Sequence, residues 1–125
     1  MIYCKGGGVR VGRRVNIGAN CVIYSKNHVA IGSGTIIAAF AHIMSGGQYD
    51  YTSDVLFADQ SSMSQGPTII GNNCWIGSKV VVQDNVEIGS GSVIGSGAVV
   101  TNSIPTNVVA VGVPARVTAP VKKIK

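Results

Sequence analysis

Over most of this chain an aliphatic residue returns at every sixth position. Ile17 and Ile23, then Ile31, Ile37 and Ile43, keep that interval, with Val11 in phase before them. Ile70, Ile76, Val82, Ile88, Ile94 and Val100 keep it again through the second half. Gly or Ala commonly follows at once, as at Gly12, Gly18, Ala38, Gly71, Gly77 and Gly95. Four places after each aliphatic stands a small or β-branched residue: Val15, Cys21, Thr35, Ala41, Cys74, Val80, Val86, Ser92, Ala98. This interval matches neither the period of an α-helix nor the spacing of hairpin turns. It suits a chain that turns a corner once per hexad. The aliphatic points into a narrow prism, the next small residue lets the backbone bend, and each coil pairs with the coils above and below. Such a solenoid buries its core only by stacking repeats. The expectation is an all-β parallel solenoid forming a single domain over residues 1–125.

Composition agrees. Val and Ile number 19 and 14 against one Leu, Leu56. Val and Ile are stiff at χ1 and favour extended chain, whereas Leu is a good helix former. Coiled coils, helical bundles and ordinary α/β domains are excluded on that ground. Charged residues make up only 12% of the chain, which excludes a disordered polymer. No apolar run approaches the roughly 20 residues of a membrane span. The opening residues, with Lys5 and three glycines, lack a signal peptide's apolar stretch, so a cytoplasmic setting is the default expectation. The net charge of +5 is unevenly placed: basic residues run from Lys5 to Lys26 and resume at Lys79, and Asp50, Asp54 and Asp59 lie in the gap. A basic balance points to nucleic acid or to a phosphate-bearing small molecule. The lack of clustered Lys or Arg with interleaved aromatics disfavours nucleic acid. Cys4, Cys21 and Cys74 show no CxxC spacing, so neither a zinc site nor a disulfide framework is expected. Cys21 and Cys74 occupy the small-residue station and read as structural; no metal is expected.

Two interruptions break the phase. Tyr24 to Ala30 carries two extra residues, and Ser45 to about Pro67 abandons the pattern. The organisation is therefore coils at about 9–44 and 68–112, a loop at about 45–67 and a tail at 113–125, whose Lys122, Lys123 and Lys125 read as solvated and frayed. A long excursion from a regular scaffold is usually functional or disordered, and Tyr49, Tyr51 and Phe57 argue against disorder here.

The run Gly71-Asn72-Asn73-Cys74-Trp75-Ile76-Gly77-Ser78 resembles the signature coil of the hexapeptide-repeat acyltransferases. Val93 to Thr101 and Ala110 to Val117 resemble that family's acetyl-CoA segments, with the galactoside, maltose and xenobiotic O-acetyltransferase branch the nearest match. The resemblance is gap-free from Gly66 to Val117, fair from Val11 to Met44 and weak in the loop. It implies a left-handed parallel β-helix, assembled as a homotrimer with active sites between subunits. It implies an O-acetyltransferase that moves an acetyl group from acetyl-CoA to a sugar or glycan hydroxyl. Under it, Trp75 lines the acceptor and pantetheine side, the Ser78 amide sits near the thioester, and Ser96 presents backbone groups to the pantetheine arm. Thr101 and Arg116 meet the nucleotide end, and Pro114 packs near the adenine. A guanidinium suits phosphate, whose oxygens it matches bidentately. Asn20 resembles a family residue that contacts the acceptor; an ordinary corner Asn is the competing reading. The family often has Lys where Asn102 stands, so one phosphate contact is absent here.

The departure lies in the loop. Family members carry a catalytic His just after the Gly-Gly turn, and here the chain reads Ser45-Gly46-Gly47-Gln48-Tyr49-Asp50-Tyr51-Thr52. The family position falls on Gln48, Tyr49 or Tyr51. Glutamine is no base, and tyrosine, ordinarily near pKa 10, needs a large downward shift to act as one. Asp50 is a further candidate base or an orienting carboxylate, and Gln48 and Tyr49 suit an acceptor surface. The only histidines are His28 and His42. Two readings stand for His42, whose side chain is expected to point off a corner toward a neighbouring subunit: general base, or interface histidine. The rival function is a catalytically impaired β-helix that binds or scaffolds. A γ-class carbonic anhydrase shares the scaffold but needs three His ligands, and this chain has two.

Overall fold

A computed structural model describes residues 1–122. The chain winds in five coils. The first comprises β1 (Ile2–Cys4), β2 (Gly8–Val11) and β3 (Asn16–Ile17), and the second β4 (Val22–Ser25), β5 (His28–Ile31) and β6 (Ile36–Ile37). The third is β7 (His42–Ser45), β8 (Thr68–Ile70) and β9 (Trp75–Ile76), with the long loop between β7 and β8. The fourth is β10 (Val81–Val82), β11 (Glu87–Ile88) and β12 (Val93–Ile94); the fifth is β13 (Val99–Val100) and β14 (Val108–Val111), followed by β15 (Arg116–Pro120). Strands of successive coils stack in parallel into three walls, β1-β4-β7-β10-β13 (wall A), β2-β5-β8-β11 (wall B) and β3-β6-β9-β12-β14 (wall C), the last of which β15 extends.

Register puts the hexad aliphatics into three columns. Ile23, Ile43, Val82 and Val100 follow one another along wall A. Ile31, Ile70 and Ile88 do so along wall B, and Ile37, Ile76 and Ile94 along wall C. All are at most 2% exposed. Val11 and Ile17 hold the same station yet are 41% and 38% exposed. The first coil has a neighbour on one side only, so its aliphatics are half covered.

The corners within the hexads are made the same way. The residue before the buried small side chain takes a positive φ: Asn20 before Cys21, Phe40 before Ala41, Asn73 before Cys74, Asn85 before Val86. Asparagine tolerates this left-handed region best among non-glycine residues, which accounts for its recurrence. Buried hydroxyls tie corners together. Thr35 Oγ1 donates to the Gly71 carbonyl at 2.8 Å and accepts from the Cys74 amide at 3.1 Å; Ser92 Oγ donates to the Pro105 carbonyl at 2.6 Å. The residue after the aliphatic is held small by the coil above: a Cβ on Gly77 would lie 2.6 Å from the Ser96 nitrogen and 2.9 Å from the Ile94 carbonyl oxygen.

The shorter interruption lengthens β4 and β5 and places Lys26-Asn27 at their corner. Residues 113–121 do not form a free tail. Ala115 is buried, and β15 turns back antiparallel on β14, finishing wall C. Lys122 is exposed; Lys123 and Lys125 lie outside the described residues. Cys4 is exposed, while Cys21 and Cys74 are buried and free. Burial pushes the Cys74 thiol above its ordinary pKa.

Replacing Ile76 with Ala is expected to cost about 2–5 kcal/mol in urea unfolding, because the column leaves no room to collapse. A loss under about 1 kcal/mol contradicts the stacking account. In a native thiol titration Cys4 alone is expected to react promptly, with Cys21 and Cys74 following only on unfolding.

Candidate active site

The outer face of wall A alternates with its buried face, so outward side chains also form columns. Tyr3 pairs with Tyr24, and Tyr24 with Met44. Val22, His42 and Val81 form the next column. Lys5 and Lys26 extend the same strands by one residue, their amides donating at 2.7 Å to the Ser25 and Ser45 carbonyls. The Tyr3 and Tyr24 rings stack with centroids 5.7 Å apart. His42 therefore stands half-buried on the wall, not off a corner as its sequence context suggested. The Ala41 that precedes it is the corner's buried residue, which turns His42 outward onto the flat strand.

The loop leaves β7 through Gly46 and Gly47, both at positive φ. Its two arms meet where Gln48 and Met63 exchange backbone hydrogen bonds at 3.2 and 2.7 Å. A short 3-10 turn (Phe57–Asp59) caps the excursion, and Tyr49 packs edge-on against Phe57. Gln60 braces the interior, accepting from the Asp50 amide and donating to the Asp50 and Val55 carbonyls. Asp84, buried at the wall A–wall B corner, anchors the base. Its carboxylate accepts from Gln48 Nε2, Ser64 Oγ and the Gln65 amide, each at 2.7 Å. Tyr24 Oη and Ser62 Oγ add a bond of 2.9 Å.

Two cavities result. The larger, about 450 Å³, lies between wall A and the loop, bounded by Tyr24, Lys26, His42, Met44, Tyr49 and Gln60, with Tyr3 and Lys5 at one end. The smaller, about 340 Å³, lies across the loop's base and is lined by Gln48, Tyr49, Tyr51, Asp84 and Thr101 among others. Of the candidate bases, His42 and Tyr49 meet in the larger cavity, and Tyr49 and Tyr51 in the smaller. Asp50 lines neither. Its carboxylate accepts from the Thr52 hydroxyl at 2.6 Å and the Thr52 amide at 2.9 Å, which hold it below the usual carboxylate range and make it a weaker base. Gln48 spends its amide on Asp84.

The remaining predicted residues occupy the other side of the prism. Trp75, 59% exposed, stands on wall C between Ile36 and Val93. Ser78 and Ser96 share the wall C–wall A corner one coil apart, linked by the Gly97 amide donating to the Ser78 carbonyl at 2.8 Å. Among the described residues the Ser78 amide meets no backbone acceptor. Arg116 is exposed on β15 opposite Val111, and Pro114 is exposed in the turn before it. Asn20 lies at the same corner as Ser78, at φ 59, the conformation of a structural corner asparagine. Trp75, Ser78, Ser96, Pro114 and Arg116 line neither cavity beneath the loop. Sequence reasoning did not single out Tyr3, Lys5, Tyr24, Lys26, Gln60 or Asp84. Stacking Tyr3 on Tyr24 would have brought the first four together.

Residues 67–102 match the family "Bacterial transferase hexapeptide (six repeats)", and residues 8–39 match "Hexapeptide repeat of succinyl-transferase". The galactoside O-acetyltransferase of Escherichia coli (strain K12) is 39% identical over 92% of this chain and 55% of its own length. This chain is a hexapeptide-repeat protein. Its fold is accordingly the left-handed parallel β-helix. A maltose O-acetyltransferase from Clostridium difficile 630 superposes with a TM-score of 0.85 at 30% identity, covering 98% of this chain and 65% of that one. A galactoside acetyltransferase solved in complex with coenzyme A gives a TM-score of 0.71 at 32% identity, covering 98% and 66%. The chain thus spans little more than half the length of the curated relative and about two thirds of these structures. No helix among the described residues is long and apolar enough to cross a membrane.

Within this hexapeptide-repeat domain, Asp84→Ala would strand the Gln48 amide, the Ser64 hydroxyl and the Gln65 amide. A loss of about 1–3 kcal/mol is expected, with hydrogen exchange accelerated in residues 48–65 and the wall amides unchanged. Uniform acceleration throughout the chain would contradict the clamp.

Proposed function

We propose that this chain is the β-helical body of an acetyl-CoA-dependent O-acetyltransferase that modifies a sugar or glycan hydroxyl, works as a homotrimer, and resides in the cytoplasm. One observation carries the reading. His42 and Tyr49, which suit the proton and the acceptor, line a cavity on wall A, whereas Trp75, Ser78, Ser96 and Arg116, which suit coenzyme A, lie on wall C and its corner, out of that cavity. A cyclic assembly, in which each subunit offers two different faces, brings the halves together. Wall C is apolar enough for such a contact: Ile36, Trp75, Val111 and Val117 are each at least 40% exposed. The similarity to galactoside and maltose O-acetyltransferases, and to a structure holding coenzyme A, supports substrate class and co-substrate alike.

Acetyl-CoA supplies an activated acyl group, a thioester carbonyl open to attack. The chain's residues do the rest. The Ser78 amide, free of other backbone acceptors, offers its N–H to the oxygen that gains negative charge. Trp75 gives an apolar face, Ser96 offers backbone groups to the pantetheine arm, and Thr101, Pro114 and Arg116 serve the nucleotide end. On the acceptor side His42 takes the proton from the attacking hydroxyl, since an imidazole works near neutral pH. Tyr49, which lines the same cavity, positions the sugar.

Thiol release from acetyl-CoA with galactoside and maltoside acceptors tests this. His42→Ala is expected to lower kcat about a hundredfold or more with little change in KM for acetyl-CoA. Turnover that survives the change removes His42 from the role. Arg116→Glu is expected to abolish saturable coenzyme A binding in calorimetry, and a wild-type protein that fails to bind at millimolar ligand overturns the transferase reading. A second reading, a binding or scaffold protein, draws on the loop: the resemblance places the family's histidine at Gln48, Tyr49 or Tyr51, and Gln48 is a neutral amide tied to Asp84. It expects coenzyme A binding without turnover.

A further inference from the structure

We propose that the cavity under the loop takes a sugar bearing an anionic substituent, a carboxylate or a phosphate, held by Lys5 and Lys26. Register carries the argument. Cys4 pairs with Ser25, so the residues that follow, Lys5 and Lys26, occupy equivalent stations on adjacent coils, about 4.8 Å apart along the prism. Like charges stacked across neighbouring strands repel. A fold that places two ammonium groups in this way gains when an anion sits between them. The third coil keeps that space open: its equivalent residue is Gly46, where a Cβ would fall 2.8 Å from the Lys26 Cβ and 3.1 Å from the Tyr24 Cε1.

Nothing in the cavity neutralises the pair. Among the described residues no Asp or Glu lines it; Asp50, Asp54 and Asp59 belong to the loop above but stay out of the lining. The rest of the lining suits a sugar. The stacked Tyr3 and Tyr24 rings provide an apolar side, the half-buried His42 stands two residues along the strand from Met44, and Ser61 and Ser62 bring hydroxyls from the loop. The two lysines sit in the first and second coils, whereas Thr101 and Arg116 sit in or beyond the fifth. At about 4.8 Å per coil the sets are more than 10 Å apart along the axis, so the lysines serve the acceptor and not the nucleotide phosphates.

This rests on the acetyl-transfer reading for its kinetic arm only. Methyl galactoside, methyl galacturonoside and methyl galactoside 6-phosphate differ only in the group at C6, and all three keep the hydroxyls at C2, C3 and C4 as acceptors. Their kcat/KM values are measured with acetyl-CoA, and their binding to the protein without acetyl-CoA is measured by calorimetry. The expected result is an advantage of about tenfold or more for one or both anionic sugars, shrinking as salt rises, with the carboxylate and phosphate arms telling which anion fits. Lys5→Gln/Lys26→Gln is expected to erase that advantage and Lys5→Arg/Lys26→Arg to keep it, with thermal melts showing both variants folded. Equal binding of neutral and anionic sugars overturns the proposal and leaves the transferase reading intact. Preferential binding of an anionic sugar without any acetyl transfer supports the site and overturns the transferase reading instead.

Discussion

Every feature of this molecule depends on one coil's backbone lying directly on the next. That contact pairs strands in parallel at about 4.8 Å and leaves a prism only wide enough for one ring of aliphatics per coil. It also forbids a Cβ wherever the neighbouring backbone comes closest, as at Gly77. Ile and Val fill the columns because a short strand buried on its inner face selects β-branched side chains. Corners need a left-handed residue, a small buried one and often a hydroxyl, and the chain supplies all three at fixed offsets. The regularity frees the outer faces, where a side chain's neighbours are set by register rather than by sequence proximity.

Function, on this account, is written on those outer faces. Wall A carries aromatics, lysines and His42 in adjacent columns, and the loop roofs them over. Asp84 is central to that roof although it makes no claim on the chemistry: one buried carboxylate ties Gln48, Ser64 and Gln65 and so fixes where the loop begins and ends. Wall C carries an open indole and an apolar strip, and its corner with wall A carries an unengaged amide.

The hexads made the fold legible, down to the columns of Ile37, Ile76 and Ile94 and the buried station of Cys21 and Cys74, because each coil repeats one environment. Val11 and Ile17 show the limit of that reading: the pattern marks them as core, but an end coil lacks the layer that would cover them. The site was legible only in part. His42 was visible as a histidine near the loop, yet its seat on the wall follows from pairing with Val22 and Val81 across the stack. The tail beyond Gly112 lacked a repeat to announce a strand, whereas antiparallel pairing with β14 makes one of Arg116–Pro120. Loop contacts such as Gln48 to Asp84 join residues from a segment without a period to a corner far along the chain, and no local signal announces them.

The central claim is that one copy's wall A works against another copy's wall C. Co-expression of a His42→Ala chain with a Trp75→Ala chain tests it directly, each variant being nearly inactive alone. Random assortment into trimers rebuilds one intact site in every mixed assembly, so the account predicts about a quarter of wild-type acetyl transfer. A mixture no more active than its two parents would contradict a site shared between subunits.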